Sequence, residues 1–345
     1  MQIMLTDEQL AFRESSGRLA ADLAAGWHRG RGPHDVAPPE PDDKAWARIA
    51  DAGWLALGLT ERNGGIGAST VDLAVLVEQL GLFAVAAPVV GTIIAAEQLQ
   101  TWGAQPDLLA DIASGARHIA PALTADLTTL ATSHEGAVAW DAAGATVCVV
   151  PETGSAYALG DPIGFADLSR AVRPLADEVD RPALVRPTGE ALARLEAFAL
   201  TLLCADLLGT AQAALDAAVA HAKARTQFGA AIGSFQAVQQ LLTDSHVLVE
   251  ATRSAVYYAS WAVDAVPGPQ ALRAARAAKA FASRSAVEVC EHTIQVFGGM
   301  GMTWEAPAHV WLRRAQTDRL VFGHEHHHHS MIAAAEFTPA ARAGS

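Results

Sequence analysis

Ala224-Arg225-Thr226-Gln227-Phe228-Gly229-Ala230-Ala231-Ile232-Gly233-Ser234-Phe235-Gln236-Ala237-Val238 reads as the end of one helix, a glycine-containing turn and the start of another. It carries one permanent cation, Arg225, two carboxamides, Gln227 and Gln236, and two aromatic rings, Phe228 and Phe235. Guanidinium and amide N–H groups suit anionic oxygens, and aromatic rings cover a flat π-face, so the set can hold a diphosphate joined to a ring system. Polar residues at a turn can also serve only to solvate it. Local chemistry leaves both readings open.

Outward from this stretch the pattern is helical. Long amphipathic segments are expected over Glu190–Arg225, Phe235–Ala265 and Pro269–Phe297, with a fourth from Ala306 onward. Segments of ~30 residues make helices ~45 Å long, and their apolar content suits a four-helix bundle that also packs on sister subunits. The N-terminal third is helical too. Thr6 can cap a helix starting at Asp7, with Leu10, Phe12 and Leu19–Leu23 as its apolar face. Further helices are expected over Asp43–Ala52, Val71–Phe83 and Gly91–Trp102, the last two hydrophobic almost all round and therefore buried. Between Gly115 and Pro187 the helical period fades. Short β-prone runs appear at Gly136–Trp140, Ala145–Val150 and Ala171–Leu175, punctuated by Gly, Pro, Asp and Thr. The expected division is thus a helical domain over 1–114, a small, shortened β domain over 115–188 and a helical bundle over 189–345.

Composition fits that plan. The chain has 345 residues, 51% hydrophobic and 18% charged, which suits a well-buried protein and argues against disorder. A net charge of −13 with no basic stripe argues against binding a nucleic-acid backbone. Cys148, Cys204 and Cys290 are far apart, with no CxxC spacing, and are expected as free, buried thiols in a reducing cytoplasm. Met1–Leu10 has no basic region followed by an apolar one, so no signal peptide is read. The uncharged run Leu80–Ala96 is broken by Pro88 and Gly91 and falls short of the ~20 apolar residues of a spanning helix, so a soluble protein is expected.

Arg225–Val238 resembles the R-x-x-F-G-x-x-[IL]-x-x-x-Q segment of acyl-CoA dehydrogenases. About seventy residues on, Gln295-Val296-Phe297-Gly298-Gly299-Met300-Gly301-Met302 is similar to the same family's Q-x-x-G-G-x-G segment. Two looser matches follow the family order: Thr60–Gly67 resembles its P-E-x-x-G-G-x-G loop, with Thr60 where proline is usual, and Gly209–Asp216 resembles the helix that opens its C-terminal domain. The resemblance implies a mainly α fold with a small β domain: an N-terminal helical domain, a middle β-barrel-like domain and a C-terminal four-helix bundle. It implies FAD as cofactor and an acyl-CoA thioester as substrate, oxidised to the 2,3-enoyl form. It further implies Arg225, Gln227, Phe228, Ile232, Phe235, Gln236, Gln295, Gly298 and Gly299 as FAD contacts, reaching a cofactor held mainly by a neighbouring subunit.

The family chemistry needs a carboxylate to remove the α-proton while the β-hydrogen leaves as hydride. By resemblance the two positions for that glutamate are Phe322, in Leu320-Val321-Phe322-Gly323-His324, and Ala199, ten residues before Gly209. Neither accepts a proton. Glu325 and Glu196 lie three residues from these positions, about one helical turn, and are the candidates for a relocated base. The segment that meets the flavin ring in the family, T-E-P-x-A-G-S-D-like, corresponds here to Ala120–Leu127 and departs from that pattern. The expectation is a base-lacking subunit of a heterotetramer, the α2β2 arrangement of some actinobacterial members including steroid side-chain degraders, which completes the FAD site of a homologous base-bearing partner. The alternatives are a self-sufficient homomeric dehydrogenase using Glu325 or Glu196, a scaffold subunit without a nucleotide site, and a same-fold flavin monooxygenase or acyl-CoA oxidase. The cluster His324, His326, His327, His328, His329 is expected as a surface feature and not a metal site, because contiguous histidines on a helix point apart.

Overall fold

Thr6 Oγ1 accepts the Gln9 N–H at 3.1 Å, and Gln9 Oε1 accepts the Thr6 N–H at 3.0 Å; this reciprocal cap starts helix α1 (Asp7–Ala24) at the expected residue. The computed structural model describes residues 4–25 and 43–337, so the outer limits of the first and last expected domains, residues 1 and 345, lie outside it. The face of α1 differs slightly from expectation. Ser16, Ala20 and Ala24 are buried and Leu10 is 40% exposed, so the stripe runs one step round the helix from Leu10.

Helices α2 (Asp43–Asp51), α3 (Thr70–Leu82), α4 (Val89–Thr101) and α5 (Pro106–Ala113) complete the N-terminal layer. Helices α3 and α4 are buried along nearly their whole length, as their all-round apolar sequence requires. Five strands follow and close into a barrel in the order β1-β2-β5-β4-β3: β1 (Ile119–Leu123), β2 (Val138–Trp140), β3 (Val147–Val150), β4 (Ser155–Leu159) and β5 (Val172–Asp180). Two of them, β1 and β4, carry no strand signal of their own. Pro121 hides β1 because it lacks a donor. It is tolerated because β1 changes partner there, pairing in parallel with β3 over Ile119–Pro121 and antiparallel with β2 over Ala122–Leu123.

The remainder is helical: α6 (Gly189–Ala224), a short hairpin of β6 (Thr226–Gln227) and β7 (Ala230–Ala231), α7 (Gln236–Ala265), α8 (Gly268–Phe297), α9 (Ala308–Leu320) and α10 (Glu325–Phe337). The single fourth helix expected from Ala306 onward is two. Phe322 has φ +58° and Gly323 φ +94°, conformations no α-helix contains, and they break it. Lys279, fully buried on α8, holds the break together: its Nζ donates to Arg319 O at 3.1 Å, Gly323 O at 3.0 Å and Ser283 Oγ at 3.1 Å. Two of these acceptors, Arg319 O and Gly323 O, are carbonyls at and just beyond the C-terminal end of α9, where a cation is favoured. Burial lowers the Lys279 pKa to about 8.

Helix α6 is the axis. Its middle, from Leu195 to Leu215, is buried on nearly every side and packs against α3, α7, α8 and α9. Two glycines let α3 and α6 cross backbone to backbone. A Cβ on Gly209 would sit 2.0 Å from Glu78 O, and one on Gly81 would sit 2.2 Å from Asp206 O. No rotamer change relieves a clash with backbone. Gly209→Ala is therefore expected to destabilise by at least the ~1–3 kcal/mol typical of overpacking, read as a lower urea midpoint with an unchanged slope.

The three layers meet on a fully buried set of charges. Arg314 on α9 donates to Asp206 on α6 through Nε (2.8 Å) and Nη2 (2.7 Å), and through Nη1 to Ser169 Oγ (2.7 Å) and Val85 O (3.3 Å). Arg170 lies 2.9 Å from Asp206, 3.1 Å from Asp141, 3.4 Å from Asp167 and 3.6 Å from Asp318, with its guanidinium over the Trp140 ring. Asp141 in turn accepts the Gly91 N–H at the start of α4.

Candidate functional site

The Arg225 hairpin forms because α6 stops at Ala224, where Phe228 (φ +52°) and Gly229 (φ +78°) turn the chain back. The Ile232 N–H then returns to Arg225 O at 2.8 Å. Ile232 packs with Ala218, Ala222 and Val296, which ties the hairpin to the ends of α6 and α8. His221 stacks on Phe297 at 4.4 Å. The two stretches around Arg225 and Gln295 are thereby brought to one end of the bundle.

Their polar groups face outward. Arg225, Gln227, Phe228, Gln236, Gln295, Gly298 and Gly299 are all exposed, Phe228 at 95%. Among the described residues no ion pair reaches Arg225, and the Gln227 amide donates only to the adjacent Thr226 O. Phe235 meets Phe228 edge-on at 6.3 Å. A Cβ on Gly298 or Gly299 would touch nothing within 4 Å, and Gly298 adopts φ +62° with ψ −141°, a backbone shape reserved for glycine. An uncommitted cation, free amides, an exposed ring and bare backbone are what an anionic ligand with a flat ring needs, so these residues fit a flavin dinucleotide.

A cavity of about 290 Å³ lies elsewhere, where α4, the barrel loops, the start of α6 and the α9–α10 break converge. Phe322 lines it, at 4% exposure; Ala199, also buried, does not. Of the two relocated-base candidates, Glu196 lines the cavity and Glu325 does not. Glu325 is clamped by Arg319, with Nε at 2.8 Å from Oε2 and Nη2 on Oε1, and this bond pulls its pKa down to about 2. Glu196 accepts from Arg276 Nη2 at 2.8 Å and Nε at 3.3 Å. The other carboxylate in the wall, Glu152, is paired with Arg186 at 3.4 Å.

The histidine cluster is not simply a surface feature. His328 is buried, donates from Nε2 to Gly323 O at 3.1 Å and has its pKa lowered to about 3, chiefly by burial. His327 lines the cavity, its ring against Gly323. No group of three or more His, Cys, Asp or Glu among the described residues can hold a metal ion. Sequence reasoning also missed Gln98 on α4, Trp102 just past its end and Arg276 on α8, all in the cavity wall. Nothing in their neighbours' types marks them out.

Residues 6–115 match the family model described as acyl-CoA dehydrogenase, N-terminal domain, and residues 193–337 the model described as acyl-CoA dehydrogenase, C-terminal domain. The chain is 32% identical over 333 residues to the acyl-CoA dehydrogenase FadE34 of Mycobacterium tuberculosis, covering 91% of this chain and 46% of that one. It thus spans about half of FadE34. It is 31% identical over 277 residues to the acyl-CoA dehydrogenase IpdE2 of the same organism, covering 79% of this chain and 80% of that one. Among solved structures, one chain from the ChsE4-ChsE5 complex of M. tuberculosis superposes with a TM-score of 0.80 at 21% identity, over 98% of this chain and 100% of that chain.

Proposed function

The chain belongs to the acyl-CoA dehydrogenase family, and from that premise we propose that it is a subunit of an FAD-dependent acyl-CoA dehydrogenase that lacks its own base and completes the flavin site of a base-bearing partner. The carrying observation is the cavity wall. Phe322 lines it, and each of its carboxylates, Glu196 and Glu152, lies on an arginine. An α-proton needs a carboxylate within hydrogen-bond reach whose charge is not already neutralised. This cavity offers an aromatic ring instead.

The partner follows from distance. Helix α6 carries Glu196 near one end and stops before Arg225 at the other, and at 1.5 Å per residue about 42 Å of helix separates Glu196 from Ala224. The exposed set around Arg225 therefore serves a flavin whose reactive ring lies in another subunit's cavity. When bound, FAD supplies the hydride acceptor. This chain's contribution is binding: Arg225 on the pyrophosphate, Gln236 and Gln295 as amide partners, Phe228 and Phe235 covering a ring face, and Gly298–Gly299 admitting the cofactor to the backbone. The heteromeric arrangement is supported by a fold neighbour that is described as a two-component complex. The substrate class is an acyl-CoA thioester. No helix among the described residues is long and apolar enough to cross a membrane.

A second reading, a self-sufficient enzyme with Glu196 as base, has one observation in its favour: Glu196 and Phe322 share the cavity. Purification decides between them. The chain expressed alone is expected to hold little flavin and to leave acyl-CoA unoxidised, whereas co-expression with a base-bearing homologue yields a yellow complex with about half a flavin per chain, because only one of the two site types is complete. Acyl-CoA oxidation by the lone chain, abolished by Glu196→Gln, would establish the second reading instead.

A further inference from the structure

His221 joins the two exposed stretches through a ring that can change its charge. It lies half-buried in the last turn of α6, one helical turn before Arg225, whose N–H donates to His221 O at 2.9 Å. Residues four apart lie on one side of a helix, and the guanidinium bears on the imidazole electrostatically. On its other side the ring stacks on Phe297, with centroids 4.4 Å apart and planes within 12° of parallel. Phe297 is the last residue of α8, and Gly298, with its glycine-only backbone, comes next. The stack therefore links the guanidinium to the bare glycine backbone, the two features this surface offers to a dinucleotide.

The charges around His221 are few. The hairpin and the first two turns of α7, Thr226 to Thr243, carry no charged residue, and neither does the turn Gly298–Met302. On α8, Glu291 is exposed and His292 is engaged with Ser245 Oγ at 3.0 Å. On α6, Lys223 is exposed and two residues away, so it leaves the helix on another side. Among the described residues no carboxylate makes an ion pair with His221. Burial and, to a smaller degree, Arg225 hold its pKa below the ordinary histidine value, so the free imidazole is mostly neutral at pH 7. A diphosphate reverses that balance. Negative charge arriving on Arg225 cancels the repulsion an imidazolium would feel one turn away, and adds an attraction of its own. The contact with Phe297 survives, because a cation is attracted to an aromatic face. We propose that His221 takes up a proton as the flavin's diphosphate seats on Arg225, so that this surface binds its cofactor more tightly as the pH falls. The inference rests on the composite-site reading above and adds to it a proton that travels with the cofactor. Because the imidazole holds its proton more strongly bound than free, affinity rises as pH falls through the bound value and levels off below the free one.

The test uses the assembled complex, stripped of flavin and titrated with FAD at constant ionic strength while flavin fluorescence is followed. Affinity is expected to be about threefold to tenfold greater at about pH 5.5 than at about pH 8, as befits an anion acting on a half-buried imidazole. Calorimetry in two buffers of different ionisation enthalpy is expected to register proton uptake on binding at about pH 6.5, the ordinary histidine value. His221→Phe keeps a ring on Phe297 but has no proton to gain, so its affinity is expected to stay level across the range, with no uptake from this site. Size-exclusion chromatography checks that each complex is intact at both pH values. A level profile in the unmodified complex, or one that His221→Phe reproduces in slope and proton uptake, overturns the proposal. Arg225→Ala separates that failure from failure of the composite site. Flavin retained in Arg225→Ala strikes the composite site itself, whereas flavin lost there beside a level profile strikes only the proton.

Discussion

Arg225→Ala in the assembled complex is expected to strip most of its flavin while leaving the complex intact. The side chain is exposed at the end of α6, and no ion pair within the described chain reaches it, so its removal disturbs no internal contact. What is lost is a charged hydrogen bond to a pyrophosphate, worth about 1.5–3 kcal/mol, or roughly tenfold to 150-fold in flavin affinity. Flavin absorbance per complex after desalting, followed by titration with FAD, measures the loss. Arg225→Lys is expected to recover part of it, because the charge survives but the planar fork of donors does not. An unchanged flavin content in Arg225→Ala would sink the composite-site reading and favour a scaffold role.

The second large effect is on stability. Arg314→Ala is expected to cost about 3–5 kcal/mol, the range for removing one partner of a buried ion pair. Arg314 and Asp206 are each at most 1% exposed, so removing the guanidinium strands Asp206 beside a single remaining cation, Arg170. Denaturant unfolding of the full chain measures it. Asp318 in the same cluster behaves oppositely. Burial raises its pKa well above the usual carboxylate range, against the pull of Arg170, while Arg314 and Arg170 overcome burial and hold Asp206 low. With its folded pKa above its unfolded one, whatever stability Asp318 contributes is intact below about pH 4 and is lost as pH rises through the folded value. Asp318→Asn is therefore expected to hold or raise stability at neutral pH and to flatten that decline. Equal losses in Arg314→Ala and Asp318→Asn would contradict this account of the cluster.

Much of the fold was legible because long helices declare themselves. The all-round apolar runs of α3 and α4 could only be buried, and the glycine turn after Ala224 could only end a helix. The Arg225 and Gln295 stretches were legible as motifs, and the structure adds that the Ile232–Val296 contact brings them together. Strand β1 was not legible, because its proline is permitted only by a change of pairing partner that local sequence does not contain. The break at Phe322–Gly323 was hidden too, since it is sustained by Lys279, more than forty residues earlier. Nor could sequence place the cavity. Gln98, Glu196, Arg276 and Phe322 are scattered over more than two hundred residues, and only the convergence of three layers makes them neighbours. The buried His328 was masked by the polar company it keeps.

The backbone crossing at Gly209 has a mechanical consequence. It falls near the midpoint of the stretch of α6 between Glu196 and Ala224, so the contact with α3 fixes the helix close to its centre. A tilt of about 3° about that contact swings the far tip, ~22 Å away, by about 1.2 Å. Misplacement of about 1 Å is enough to alter a reaction rate a hundredfold. A substitution at the crossing that shifts α6 is therefore expected to displace both of its ends, the one beside Glu196 and the one that carries the Arg225 hairpin.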